Sequence, residues 1–168
     1  LTEKPLSYFP VAVANLQQAY RIREPNWSAA VQIEQLDRNI QADLFHLYSL
    51  SDRTVYGSAV VNLLITGSPT GELQFLVPAN LENLTVDGKD IRTWRRDGDN
   101  LLISLHQAVM GAYTVLITFE QKPNPVDGSF DVGQVSAVNV DGERGYIEVV
   151  SPIQVELEPL LVSNQLLA

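Results

Sequence analysis

The side chains that most often carry chemistry are scarce in this chain. It contains no cysteine, which removes thiol nucleophiles, disulfides and Cys-ligated zinc together. Its two histidines, His46 and His106, lie in or beside strand-like apolar runs, and neither has a His, Asp or Glu at ligand spacing. The patterns H-E-x-x-H, G-x-S-x-G and S-x-x-K are absent. The 20 acidic residues fall mostly in turns or on the polar side of alternating runs, which favours a solvated surface over a glycosidase-type carboxylate pair. Two loops, 127–131 (Asp-Gly-Ser-Phe-Asp) and 97–100 (Asp-Gly-Asp-Asn), offer oxygens to calcium but lack the full spacing of an EF-hand loop, and Asp-Gly is first of all turn chemistry. Asn26-Trp27-Ser28 and Asn83-Leu84-Thr85 match a glycosylation acceptor that matters only in a secreted eukaryotic protein. These residues predict no catalytic group, no metal and no cofactor, hence a protein that is not an enzyme.

One basic cluster interrupts an otherwise acidic surface: Arg92-Thr93-Trp94-Arg95-Arg96. An indole flanked by Arg92 and Arg96 suits stacking on a sugar ring or gripping an anion. With Trp27 and surface tyrosines, this gives the alternative reading of a carbohydrate-binding module whose ligand residues are Trp27, Trp94, Arg92 and Arg96. The competing reading is packing. A two-residue turn at Gly98-Asp99 sets Arg96 opposite Leu101, Trp94 opposite Ile103 and Arg92 opposite Leu105, which predicts a buried Trp94.

The elements that position these residues read as strands. Apolar, β-branched runs at 54–65, 72–77, 100–105 and 112–119 are separated by Gly, Asp, Asn and Pro, the signature of an antiparallel sandwich or barrel. Gly67-Ser68-Pro69-Thr70-Gly71 is expected to end the first run. Residues 59–65 are nearly continuous in apolar character, which predicts a central strand covered on both faces. Alternation predicts further strands at 30–36 and 42–48, a short strand at 84–86 closed by Asp87-Gly88, strands at 135–140 and 145–150, and an edge strand at 153–158. Pro5, Pro10 and Pro25 favour an extended N-terminal arm. The expected core includes Phe75, Val77, Ile103, Val115, Ile117 and Phe119.

Composition bounds the partners. With 45% hydrophobic and 18% charged residues, the 168-residue chain is expected to fold rather than stay disordered. A net charge of -9 opposes binding to nucleic-acid phosphates and to acidic lipid surfaces. No apolar run is long enough to cross a bilayer as a helix, so direct membrane insertion is not expected. The chain starts at Leu1 and ends in Leu166-Leu167-Ala168, and it reads as a segment excised from a longer polypeptide.

The order Glu72-Leu73-Gln74-Phe75-Leu76-Val77-Pro78, then Leu84-Thr85-Val86-Asp87-Gly88, then a Gly98 turn into Leu101-Leu102-Ile103-Ser104-Leu105, then residues 111–119, resembles the β-sandwich front domains of M1-type aminopeptidases and accessory sandwich modules of large bacterial envelope proteins. In those enzymes the zinc site sits in a separate helical domain, and its motif has no counterpart here, so no catalytic residue is carried over. The resemblance implies a non-catalytic module that packs on, or positions, a neighbouring domain.

The expectations are therefore an all-β, mainly antiparallel β-sandwich, immunoglobulin-like or related. It would form a single domain over 1–168, with an arm at 1–25, the main sandwich strands at 26–120 and additional strands at 121–168. The expected function is a structural or interaction module of a larger exported bacterial protein, in the periplasm or at the cell surface. Its expected partners are neighbouring domains of the same polypeptide or another protein, or, in the alternative reading, carbohydrate.

Overall fold

Buried and exposed side chains alternate through the middle of the chain, as extended backbone with one wet face requires. A computed structural model of the chain describes residues 2–3, 20–21, 23–30, 32, 34, 36–51, 54–152, 156 and 158, and every regular element among them is a strand. These residues fall into two units, Leu1–Glu34 and Gln35–Ala168. In the first, β1 (Thr2–Glu3) pairs antiparallel with β2 (Tyr20–Arg21). The second holds β3 (Asn39–Leu50), β4 (Val55–Leu76), β5 (Glu82–Gly88), β6 (Ile91–Asp97), β7 (Asn100–Gln121), β8 (Ser136–Val138) and β9 (Gly142–Val150). The extended arm expected over 1–25 and the edge strand expected over 153–158 lie largely outside the described residues.

The second unit is one open, mixed sheet in the order β5-β7-β4-β3-β9, with β6 also on β7 and β8 also on β4. All its pairings are antiparallel except β3 with β9. The strands β4 and β7 are long enough to serve two layers. Their halves at 55–65 and 111–121 pair between β3 and β5, whereas 72–76 and 100–104 pair between β8 and β6. Between the halves the register slips at Ile65/Thr70 and again at Thr70/Glu72. Gly67 and Gly111 adopt positive φ there, 79° and 88°. Bulged, left-handed backbone of this kind lets a two-stranded ribbon bend, so its halves fold face to face into a sandwich. The 67–71 segment is thus a bend inside one strand rather than the strand end that its Gly and Pro residues suggest.

Both layers feed one core. Leu73, Phe75, Leu101 and Ile103 join Leu44, Val61, Val115 and Ile117, and all are buried. The core residues expected from the sequence, Phe75, Val77, Ile103, Val115, Ile117 and Phe119, are buried too. Each large side chain so placed contributes roughly 1.5–3 kcal/mol of transfer free energy.

Three local expectations are corrected. Within the expected 30–36 strand, Ala30, Gln32, Glu34 and Leu36 lie in no strand and are exposed, Leu36 at 64%, and the other residues of the run lie outside the described residues. Leu64 is exposed and Val60 only half-buried, so the 59–65 run is covered on one side. The chain does not turn at Asp87-Gly88. It turns at Lys89-Asp90, where Asp90 has φ 57° and the strand passes from one layer to the other. The Tyr113 hydroxyl donates to the Lys89 carbonyl, and the His106 N–H to that of Asp90 at 2.9 Å.

The 97–100 hairpin forms as read, with Gly98 at φ 58°, Asp97 opposite Asn100, Arg96 opposite Leu101 and Trp94 opposite Ile103. A register shift between Ile91 and Thr93 then places Ile91, instead of Arg92, opposite Leu105.

Candidate functional site

The layer built on β3 turns its even residues, Ile40 to Tyr48, into the core, and this fixes what its odd residues show to solvent. Tyr146, Phe45, Val60 and Leu116 lie in register across β9, β3, β4 and β7. The Phe45 and Tyr146 rings stack at 5.5 Å with an interplanar angle of 20°, and Tyr146 is 71% exposed. Leu47, Tyr56 and Leu64 extend the same outer face and are also exposed. Contiguous exposed apolar area of this kind marks an interaction site more often than chance scatter does.

Polar pairs border the apolar row. Arg144 Nε donates to Asp43 Oδ1 at 2.6 Å, and this holds the Asp43 carboxyl below its usual range and raises the guanidinium. Thr114 donates to Asn62 at 2.8 Å, the Thr85 and Thr118 hydroxyls meet at 2.6 Å, and Asn83 donates to Glu120 at 2.7 Å. Lys122 lies 2.7 Å from Glu82, whose carboxylate raises the lysine. An open groove of about 530 Å³ runs over Leu47, Tyr56, Ser58, Asn83, Thr118 and Glu120. Asp87 and Glu148 add exposed acids to this border.

The residues singled out for sugar binding separate. Trp27 belongs to the first unit and is exposed. Arg96 faces inward and donates to the carbonyls of Leu81 at 2.7 Å, Val77 at 2.9 Å, Gly98 at 3.1 Å and Pro78. It anchors the 77–81 connection. Trp94 keeps its pairing with Ile103 but is 37% exposed, because β6 is an edge strand and leaves one flank of the indole to water. Trp94 and Arg92 line a second groove, of about 410 Å³, together with Asp87.

His46 and His106 do not meet. His46 is buried with Nε2 3.1 Å from the Val135 carbonyl, its pKa pushed down by burial, whereas His106 is exposed at the bend of β7. The two acidic loops act as turns: Asp127 Oδ1 accepts from the Ser129 N–H at 2.9 Å and Asp99 Oδ1 from that of Ala79 at 2.8 Å. Among the described residues, no cluster of three or more His, Asp or Glu has metal-binding geometry.

The outer face was missed in the sequence. Its signal was the apolar content of both faces of 59–65 together with Phe45, Leu47 and Tyr146, all at outward positions of their strands.

No protein-family model matches the chain, and no curated protein matches it. Among solved structures it is similar to the M1 zinc metallopeptidase from Deinococcus radiodurans, at 10% identity over 52% of this chain and 21% of that one, with a TM-score of 0.36. A two-domain M1 zinc metallopeptidase variant bound to L-tryptophan gives 12% identity over 61% and 24%, again with a TM-score of 0.36. The chain thus spans less than a quarter of the length of these structures. No residue role is carried over from them.

Proposed function

We propose that this chain is a non-enzymatic interaction module that docks a protein surface, in the same polypeptide or another, through the outer face of the β9-β3-β4-β7 layer. The observation that carries the reading is the row Tyr146, Phe45, Val60 and Leu116, apolar and solvent-facing across four neighbouring strands. Asp87, Glu120 and Glu148 stand around it, beside the Asp43–Arg144 ion pair, on a chain of net charge -9. That charge argues against a second copy as occupant and for a partner with an apolar centre ringed by Lys and Arg. In this proposal the module is the non-catalytic front-domain type of sandwich, part of a larger exported bacterial protein, acting in the periplasm or at the cell surface.

The test is a photo-crosslinking amino acid in place of Tyr146 in the full-length protein in its native cell, with the attached peptide read by mass spectrometry. The expected result is one dominant crosslinked segment, apolar with flanking Lys or Arg, lost on Phe45→Ser. Crosslinking no stronger than from a probe at Arg95, or to an acidic surface, overturns the reading.

A further inference from the structure

A second open groove lies between the edge strands β5 and β6. It is lined by Val86, Asp87, Ile91, Arg92 and Trp94, and its volume of about 410 Å³ lies within the range of small-ligand sites, roughly 300–1,000 Å³. The lining residues stand on two strands of the β7 ladder, and the Lys89-Asp90 connection between those strands is tied down by Tyr113 and His106, so the groove is preformed.

The polar groups here are uncommitted. Among the described residues, the side chains of Arg92, Thr93 and Asp87 make no hydrogen bond or ion pair. The arginines Arg38, Arg96 and Arg144 are all engaged, with Thr70, with backbone carbonyls and with Asp43. Two opposite charges that line one groove without pairing leave it close to neutral and offer it both donors and acceptors. Beside them lies Trp94, 37% exposed. A flat apolar ring face flanked by separate donors and acceptors matches a pyranose, which stacks its C–H face on an aromatic and presents hydroxyls at its rim.

We infer that this groove binds a neutral oligosaccharide, with Trp94 stacking on one sugar ring and Arg92 and Asp87 bonding its hydroxyls. A uronic or sulfated sugar would meet Asp87 and the field of a chain with net charge -9. Asp87 also borders the docking face proposed above, opposite Leu116, and Phe45, which does not line this groove, separates the two readings.

Trp27 and Trp94 are the two tryptophans of the chain, so Trp27→Phe leaves Trp94 as the single indole reporter. That variant is titrated with cellohexaose, maltohexaose, chitohexaose, mannohexaose and xylohexaose, read by indole fluorescence and by calorimetry. The expected result is a saturable change with at least one probe. Calorimetric affinity falls at least tenfold on Trp94→Ala, and equally in the double variant Arg92→Ala with Asp87→Asn, while Phe45→Ser leaves it unchanged. If Trp94→Ala does not fold, the double variant carries the test. No saturable binding to any of these probes, binding that survives the double variant, or binding lost on Phe45→Ser overturns the inference.

Discussion

Arg92 and Arg96 share a strand and a side-chain chemistry, yet their surroundings give them different energetic weight. The Arg96 guanidinium is the donor for the Val77, Pro78 and Leu81 carbonyls of the connection it anchors and for the Gly98 carbonyl of the neighbouring turn, and removing it takes the charged partner from all four. Arg96→Ala is expected to cost about 2–4 kcal/mol, and Lys is not an adequate substitute because one ammonium cannot span that fork. Arg92→Ala is expected to stay within about 0.5 kcal/mol. Urea midpoints for the three variants check this, and equal losses at the two positions would refute it. His46 supplies a pH dependence. Its folded pKa lies below the 6.5 of the free side chain because burial disfavours the imidazolium. The folded protein therefore binds fewer protons than the unfolded chain between those two values, and stability rises with pH there. The contribution is complete above pH 6.5 and is lost as pH falls through the folded value, with each unit of depression worth about 1.4 kcal/mol. Denaturation midpoints between pH 7.5 and 5.5 are expected to fall in the parent and to flatten in His46→Gln. An unchanged slope in that variant would remove His46 as the source. The sequence announced Arg96 and His46 as interesting types but not their duties, since both duties depend on carbonyls distant in the chain.

At the level of elements, local chemistry was legible and long-range bending was not. The 97–100 turn follows from Gly98 followed by Asp99 between alternating runs, and it set the pairing of Trp94 with Ile103 correctly. The 67–71 segment uses the same residue types, and nothing in a single chain tells a strand end from a bulge that keeps its partner. What decides is pairing with β7 on both sides of the slip. A second tertiary constraint sits within β4 at Gly57, where an added Cβ would run into the Phe119 ring that packs on Tyr48. Gly57→Ala is expected to destabilise by about 1–3 kcal/mol through overpacking. Phe119→Leu alone costs stability by loss of volume, but the double variant is expected to lose less than the sum of the two, with a coupling of about 0.5 kcal/mol or more. Strict additivity in thermal or denaturant unfolding would show that the glycine is not there to make room for the ring.

For the whole molecule, the question is why an apolar face this broad does not simply close on a second copy of itself. The face is self-complementary in apolar character but not in charge, because each copy brings Asp87, Glu120 and Glu148 to the border on a chain of net charge -9, while Asp43 is paired with Arg144. Two such borders repel at low ionic strength, where the Debye length is about 10 Å or more, and the repulsion is largely screened at 1 M salt, where it is about 3 Å. Added salt leaves apolar burial intact, and a salting-out anion such as sulfate strengthens it. The chain is therefore expected to sediment as a monomer in dilute buffer and to self-associate in 1 M sodium sulfate. Phe45→Ser with Tyr146→Ser is expected to remain monomeric in both, with a stability close to that of the parent because both rings are solvent-facing. Sedimentation velocity on parent and variant distinguishes the outcomes. Association in dilute buffer would mean that the acidic border does not oppose self-pairing. Association in sulfate that survives the double variant would place the adhesive surface elsewhere and remove the physical basis for treating the β9-β3-β4-β7 face as the docking site.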